Sequence, residues 1–318
     1  MLSHGIIRRG NMIMTEIKTT AVIGMGALGL LFGGKIADTA GKENVCFLMD
    51  AERLERHRKD VYTVNGQVKE YRLEDAAQAI PADLVIISVK FGALREAIRE
   101  MEKCTGPDTI IISLLNGISS EEIIAGQFDR NNIIDCVAIG MDAVREGTDL
   151  TYAHMGRLQI GSRSADQDAK VAALAGFFER MGIPFEVVPD IKRAMWNKFM
   201  INVGINQTCM VYETDYGHAC APGEALEDMK GAMHEVIAIA DRKGIRLTEE
   251  DFEKNLALLR SLNPSGLPSM RQDALAHRRS EVELFAGTMI RLGREMGVPV
   301  PVNEKYYEKI MEMEKTYS

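Results

Sequence analysis

Three polar residues in the second half of the chain recur at steps of four: Lys198, Asn202 and Asn206. Residues four apart share one face of an α-helix, so the segment 194–208, AMWNKFMINVGINQT, would align the three side chains in a polar stripe. A lysine can stabilise negative charge on an oxygen and give that oxygen a proton, while neutral amides orient carbonyl and hydroxyl groups. The polar stripe is therefore a candidate catalytic face. The alternative is a solvent-facing edge, where Glu and Lys would be expected rather than asparagines with their poor helix propensity.

A glycine-rich turn near the start of the chain is the element that would bind a second molecule facing the polar stripe. The β-branched, apolar run 20–23 predicts a buried strand, and an alanine-rich helical pattern follows the turn to about residue 40. A second apolar run, 45–49, ends in Asp50. This closes a strand–helix–strand unit of about thirty residues, the context of a dinucleotide-binding fingerprint. The glycine turn reads Gly24, Met25, Gly26, Ala27, Leu28 and Gly29.

Each glycine of this turn has its own physical role. Gly24 would permit the tight turn, Gly26 would let the main chain approach a pyrophosphate, and Gly29 would let helix and strand pack closely. The free N–H groups at the helix start favour an anion. With Asp50 after the second strand, the spacing predicts dinucleotide binding; an ordinary glycine-rich strand-to-helix turn is the alternative.

Two further polar residues stand where predicted strands end. Lys90 closes the apolar run 84–90, and Asn116 follows the apolar segment that begins at Thr109. Ligands collect outside the carboxyl ends of the strands in an open α/β sheet, so both residues are candidates for the same cleft. The alternatives are a solvated lysine at a strand end and a plain Asn-Gly turn.

The pattern of elements changes near residues 189–190. Strand-like runs are frequent before this point, and long helical periods follow it. We therefore predict the α/β fold class, with a Rossmann-type dinucleotide-binding domain at 19–189 and an all-helical substrate-binding and catalytic domain at 190–318. Residues 1–18 have no usable period and are predicted to be a disordered extension.

Composition restricts the classes of function. The chain has 318 residues, 46% hydrophobic and 26% charged, which is ordinary globular usage and long enough for two domains. The net charge of −8, without a Lys/Arg cluster, argues against nucleic-acid binding. No apolar run approaches the length of a membrane span and no signal peptide is recognisable, so we expect a cytoplasmic protein. The five cysteines are scattered and the six histidines lack ligand spacing, which predicts reduced thiols and no metal site.

Several stretches, taken in order, resemble the ketopantoate reductase family (2-dehydropantoate 2-reductases) from residue 19 to the end. The resemblance implies a Rossmann domain followed by a helical domain, with the substrate in the cleft between them. It also implies NADPH-dependent reduction of ketopantoate, a 2-oxo acid, to (R)-pantoate on the route to pantothenate and coenzyme A. The stretches are GMGALG, SVK, LLNG, WNKFMINVGIN, SMRQD and SEVELFAG.

The resemblance gives roles to residues on the substrate side of the cleft. Lys198 looks like the proton donor, and Asn202 and Asn206 look like substrate contacts one and two turns along. Ser269 resembles the hydroxyl that binds the substrate carboxylate. Asn116 resembles a residue that contacts both the substrate and the cofactor.

On the cofactor side, Lys90 and Asn116 resemble residues at the nicotinamide end of the cleft. Ala143 resembles a main-chain cofactor contact. Glu281 resembles an acid that faces both the cofactor and the catalytic lysine. From the sequence, Glu281 lies within a segment that we predict to be one long helix, Ser269–Met296, where a pair with Arg278 on the helix surface is the alternative.

The chain departs from the family pattern at the end of the second strand. An arginine there usually pairs with the 2′-phosphate of NADPH, whereas this chain has Asp50. A carboxylate repels a phosphate and hydrogen-bonds the free ribose hydroxyl, the arrangement of NAD-binding proteins. Arg53 and Arg56 follow closely and offer an alternative partner for a phosphate. The resemblance thus implies NADPH, while Asp50 modestly favours NADH.

Two family asparagines are also replaced, by Tyr216 and Gly266. Each replacement removes a polar contact, so a different 2-oxo acid is an alternative substrate. A related hydroxy acid or opine-type dehydrogenase and a catalytically silent nicotinamide-binding regulator are the other hypotheses. The Met-rich segment 195–210 is compatible with a core or an interface, which leaves a homodimer open.

Overall fold

The structure is a computed structural model and describes residues 16–317. Residues 1–15, most of the predicted extension, lie outside this range. Ile17 is buried in a hydrophobic cluster with Val22, and the main-chain N–H of Lys18 donates to Asp83 Oδ2 at 2.9 Å. The strands, in chain order, are β1 (Thr20–Ile23), β2 (Val45–Met49), β3 (Tyr62–Val64), β4 (Gln67–Lys69), β5 (Arg72–Asp75), β6 (Ala82–Ile87), β7 (Thr105–Ser113), β8 (Ile133–Ile139), β9 (Val144–Glu146), β10 (Asp149–Thr151), β11 (Arg157–Gly161) and β12 (Phe185–Val187).

The first half of the described chain is organised by an eight-stranded sheet in the order β12-β11-β8-β7-β6-β1-β2-β5. Neighbouring strands run parallel, except that β11 is antiparallel to β8. From β1 the chain moves outward through β2 and β5, then crosses to β6 on the other side of β1. The strand order therefore reverses between β1 and β6, and such a switch point opens a ligand crevice at the carboxyl ends of the strands. The predicted Rossmann-type fold is confirmed. A small sheet, β4-β3-β10-β9, lies beside it.

The second half of the described chain is helical, as predicted. Its longest helix, α6, has 21 residues, and the Asp190 side chain caps it by accepting the Arg193 N–H at 2.9 Å. This helix packs against α8 in a core that includes Trp196 and Phe199, and it also contacts β8. Within residues 16–317, no helix combines the length and the apolar content that crossing a bilayer requires. The helices are α1 (Gly34–Ala40), α2 (Ala51–His57), α3 (Leu94–Glu100), α4 (Ser120–Ala125), α5 (Asp168–Met181), α6 (Ile191–Val211), α7 (Tyr216–Ala219), α8 (Glu224–Arg242), α9 (Glu249–Ser261), α10 (Ser269–Leu275), α11 (Thr288–Met296) and α12 (Pro301–Glu314).

The prediction of one long helix from Ser269 to Met296 is wrong, because α10 and α11 are separated by a break and a π-helical turn. His277, two residues after the end of α10, has a left-handed conformation (φ 51°), which does not continue an α-helix. Ser280 then donates through both its N–H and its hydroxyl to Glu314 Oε1, at 2.7 and 2.6 Å. A contact with a distant helix therefore overrides the local helix propensity. It places Glu281 at the break rather than in the middle of a helix.

Candidate active site

The glycine turn lies at the switch point of the sheet, directly after β1. Gly24 has φ +101°, and a Cβ added there would overlap the carbonyl oxygen of Ser88, the residue just after the neighbouring strand β6. A Cβ on Gly29 would overlap the Gly24 carbonyl oxygen. Both glycines are thus required by the protein's own backbone.

Gly26 is different. A Cβ at this position would meet only the Ser88 carbonyl oxygen, at an ordinary van der Waals distance of 3.5 Å. Neither the backbone nor the packing of the described residues demands glycine here. A phosphate that approaches the main chain does demand it, so the turn fits a dinucleotide.

Two other residues flank the glycine turn. Ala143, just before β9, is half-buried in the same apolar cluster as Met25 and Ala27. Arg145, on β9, donates to the Met25 carbonyl oxygen and, through Nε, to the Gly147 carbonyl oxygen at 2.7 Å. No sequence motif marks Arg145, because its contact with the turn depends on how the small sheet packs against the turn.

Asp50 lies at the carboxyl end of β2 and caps α2. Its Oδ1 accepts the Arg53 N–H at 2.8 Å, and its Oδ2 accepts from Arg53 Nε at 2.5 Å. These hydrogen bonds lower the pKa of Asp50, so the carboxylate is ionised near neutral pH. The Arg53 guanidinium also contacts Glu96 at 3.0 Å, and Glu100.

Lys198 projects from α6 to the edge of the sheet. Its amine donates to Asn116 Oδ1 at 2.9 Å and to the Ala138 carbonyl oxygen of β8 at 2.6 Å. Burial lowers the pKa of Lys198 to about 8, and the neighbouring groups Cys136 and Glu281 oppose the shift. The structure therefore brings together Lys198 and Asn116, two residues that the sequence placed in different domains.

The rest of the polar stripe joins α6 to the start of α10. Asn206, which is 6% exposed, donates through Nδ2 to Asn202 Oδ1 at 3.3 Å. Its own Oδ1 accepts from the Ser269 hydroxyl at 3.1 Å and from the Met270 N–H at 3.3 Å. Ser269 itself is exposed. The three polar side chains thus form one connected wall beside Lys198.

Glu281 is 9% exposed and faces the same region. Its Oε2 lies 3.5 Å from Asn116 Nδ2, at the long limit for a hydrogen bond. The alternative pair with Arg278 is not formed, because Arg278 Nε bonds Asp273 Oδ1 at 2.9 Å. Glu281 therefore points toward Asn116 and Lys198 and does not pair with Arg278.

Lys90 joins the two halves of the chain. The strand predicted at 84–90 ends at Ile87, so Lys90 lies three residues beyond β6. Its exposed amine pairs with the buried carboxylate of Asp273 on α10 at 2.7 Å. Sequence reasoning missed Asp273, although it stands in the SMRQD stretch one helical turn after Ser269.

The two residues that replace family asparagines contact each other. The Tyr216 N–H donates to the Gly266 carbonyl oxygen at 3.1 Å, and the Gly217 N–H donates to the Pro264 carbonyl oxygen at 2.8 Å. A Cβ on Gly266 would lie 2.9 Å from Cδ2 and Cε2 of the Tyr216 ring. Burial raises the pKa of Tyr216 to about 12. An aromatic ring therefore covers the loop that leads into Ser269.

Comparison with known proteins identifies the family. Residues 20–165 match the family described as ketopantoate reductase PanE/ApbA, and residues 190–314 match its C-terminal domain. The chain is 30% identical over 294 residues to a 2-dehydropantoate 2-reductase of Halobacterium salinarum, covering 88% of this chain and 94% of that protein. The chain belongs to the ketopantoate reductase family. It is accordingly an NAD(P)-dependent oxidoreductase that acts on a CH–OH group.

Solved structures share the ketopantoate reductase fold over nearly the whole chain. A D-mandelate dehydrogenase in complex with NADH and anilino(oxo)acetate has a TM-score of 0.84 at 21% identity, covering 94% of this chain and 99% of that one. A dimeric ketopantoate reductase from Staphylococcus aureus has a TM-score of 0.77 at 18% identity, covering 94% and 100%. At these identities the likeness establishes the fold.

Proposed function

We propose that this protein reduces a 2-oxo acid to the 2-hydroxy acid at the expense of NAD(P)H, with ketopantoate as substrate and (R)-pantoate as product. The product would enter the route to pantothenate and coenzyme A. The observation that carries the proposal is the position of the Lys198 amine, which is bound by Asn116 and Ala138 at the carboxyl edge of the sheet. Family membership supports the same substrate.

Lys198 is the proposed proton donor. When bound, reduced nicotinamide supplies a hydride to the carbonyl carbon. As the carbonyl oxygen gains negative charge, the Lys198 ammonium stabilises it and transfers one proton to it, so that a hydroxyl forms. With a pKa of about 8, the lysine is protonated at neutral pH yet releases its proton more readily than an exposed lysine. Asn116 orients the amine by accepting one of its hydrogen bonds.

The substrate wall consists of Asn202, Asn206 and Ser269. We assign the Ser269 hydroxyl to the substrate carboxylate and the two amides to the remaining polar groups of the substrate. The hydrogen bonds among these three side chains support the assignment, because they fix the amide orientations before the substrate binds. Neutral amides do this without cancelling the charge of Lys198.

For the cofactor, we propose NADH in preference to NADPH. The glycine turn would hold the pyrophosphate, and Asp50 would accept from the ribose hydroxyls. Lys90, Asn116, Ala143 and Glu281 would line the rest of the cofactor site. The ionised state of Asp50 supports NADH, since a carboxylate and a 2′-phosphate repel each other.

A steady-state assay with ketopantoate and each reduced cofactor tests both proposals. We expect oxidation of NADH with formation of (R)-pantoate, identified by chiral chromatography, and a lower KM for NADH than for NADPH. Absence of turnover with either cofactor would refute ketopantoate reduction. A lower KM for NADPH would refute the cofactor assignment alone.

A second candidate substrate is a 2-oxo acid with an apolar, branched or aromatic side chain. The contact between Tyr216 and Gly266 favours it, because an aromatic ring stands where the family pattern has amides. A panel of 2-oxo acids, tested with and without amine co-substrates, separates this candidate from ketopantoate and from opine-type chemistry. Cofactor binding without turnover on the whole panel would instead indicate a catalytically silent regulator.

A further inference from the structure

Arg53 is held by carboxylates from two separate elements. Asp50 precedes α2, whereas Glu96 and Glu100 lie on α3, which follows β6 on the far side of the switch point. One oxygen from each of the three carboxylates lies within 4.8 Å of the other two. We call the four residues Asp50, Arg53, Glu96 and Glu100 the Arg53 clamp.

Two nitrogen atoms of the Arg53 guanidinium make the contacts of the clamp. Arg53 Nε bonds Asp50 at 2.5 Å, and its Nη2 atom contacts Glu96 at 3.0 Å and also Glu100. The Glu100 side chain is only 9% exposed and that of Arg53 is 29% exposed. Burial raises the pKa of Glu100, and Arg53 opposes the shift. The guanidinium is thus the counterion of Glu100 in a partly buried place.

Arg53 is also an obvious cation for a 2′-phosphate, because it stands in the first turn after Asp50. The Nε and Nη2 groups of Arg53 donate to carboxylates, so these N–H groups are not available to a phosphate. The clamp carries three carboxylates against one guanidinium, so it keeps an excess of negative charge next to the ribose position. A phosphate that approached it would be repelled.

We propose that Glu96 and Glu100 determine cofactor specificity by holding Arg53 against α3, where it cannot bind the 2′-phosphate of NADPH. The proposal rests on the proposed preference for NADH. It extends discrimination beyond Asp50 to two residues that act through Arg53. Glu96 and Glu100 are therefore positioning residues. Their test must measure the relative affinity for NADH and NADPH, and not stability alone.

The test measures dissociation constants for NADH and NADPH by nucleotide fluorescence, with the full-length protein and without substrate. In the wild type we expect NADPH to bind at least about tenfold more weakly than NADH. In Glu96→Gln/Glu100→Gln, the dissociation constant for NADPH should fall by about tenfold while that for NADH changes less than about threefold. Adding Arg53→Ala to this variant should remove most of the gain and leave only the part that is due to the loss of two negative charges. Arg53→Ala alone should leave NADPH binding within about threefold of the wild type, since the clamp already withholds this arginine.

The matched control is Glu52→Gln/Glu55→Gln. It removes the same charge from α2 at two exposed positions, of which Glu55 pairs with Arg58 and not with Arg53. Its selectivity should stay close to that of the wild type. If the double substitution disrupts folding by circular dichroism, Glu96→Gln alone, at the more exposed clamp position, should still strengthen NADPH binding by a few fold.

The proposal is overturned if Glu96→Gln/Glu100→Gln shifts the NADPH:NADH ratio by no more than the control does. It is also overturned if the wild type binds NADPH as tightly as NADH. Failure of the reductase proposal gives a different result: selective binding of NADH with no turnover of any 2-oxo acid.

Discussion

The two sides of the cleft are built differently. The glycine turn is a run of six consecutive residues, and two of its glycines are required by the carbonyl groups of Gly24, within the turn, and of Ser88, just after β6. The lysine side gathers Lys198, Asn116, Ser269 and Glu281 from four separate segments, and side-chain contacts hold them together. Changes in the turn should therefore act locally, on cofactor binding or on the strand it follows. On the lysine side, substitutions far from the cleft should also change the positions of the catalytic side chains.

The largest effect should come from Lys198→Ala. Loss of the group that protonates the carbonyl oxygen should lower kcat by about 10³-fold or more, because general-acid and electrostatic stabilisation are lost together. Stopped-flow or steady-state kinetics measure the rate, and nucleotide fluorescence should show NADH affinity nearly unchanged. Lys192→Ala, at the exposed second position of the same helix, is the control and should retain full activity. Equal rates in both variants would remove Lys198 from the chemistry.

Two glycine substitutions separate what the fold needs from what the ligand needs. Gly26→Ala should keep the melting temperature and weaken NADH binding by about tenfold or more, because its methyl group has room in the protein but not against a pyrophosphate. Gly24→Ala should destabilise the protein by about 1–3 kcal/mol, because it combines positive φ with a backbone overlap. Differential scanning fluorimetry and nucleotide titration measure the two quantities. A large loss of stability in Gly26→Ala would contradict this division.

The pH dependence of kcat/KM should follow the protonation of Lys198. The pKa of Lys198 is lowered from 10.5 to about 8, so the ammonium needed for reduction is present below pH 8 and lost above it. For reduction, kcat/KM should be level below this pH and fall about tenfold per pH unit above it. Oxidation of the hydroxy acid needs the neutral amine and should show the opposite trend. A profile that stays flat from pH 7 to 10 in both directions would exclude Lys198 as the titrating donor.

The smallest effect should follow from Glu314→Ala, on α12. Its carboxylate holds Ser280, next to Glu281, by two hydrogen bonds. Losing them should cost roughly 1 kcal/mol of positioning, about fivefold in kcat, with Lys198 itself intact. Glu312→Ala, an exposed position on the same helix, is the control. If both variants match the wild type in kcat, the break before the π-helical turn does not position Glu281.

Several parts of the site were predictable from short segments. The turn from Gly24 to Gly29 could be predicted because steric demands on single glycines act within a few residues. The alignment of Lys198 with Asn202 and Asn206 followed from the repeat of the α-helix. The single long helix over Ser269–Met296 failed because a local pattern contains no information about the cap at His277 or about the contact between Ser280 and Glu314.

The sequence by itself determined the Rossmann-type fold class, the glycine turn, the polar stripe and the family. These follow from hydrophobic periods, glycine sterics and motif spacing, which act over neighbouring residues. Only the tertiary structure decided that Glu281 faces Asn116, that Lys90 pairs with Asp273 across 183 positions, and that Glu96 and Glu100 hold Arg53. The physical reason is that the partner of a buried or shared charge is chosen by the packing of distant elements.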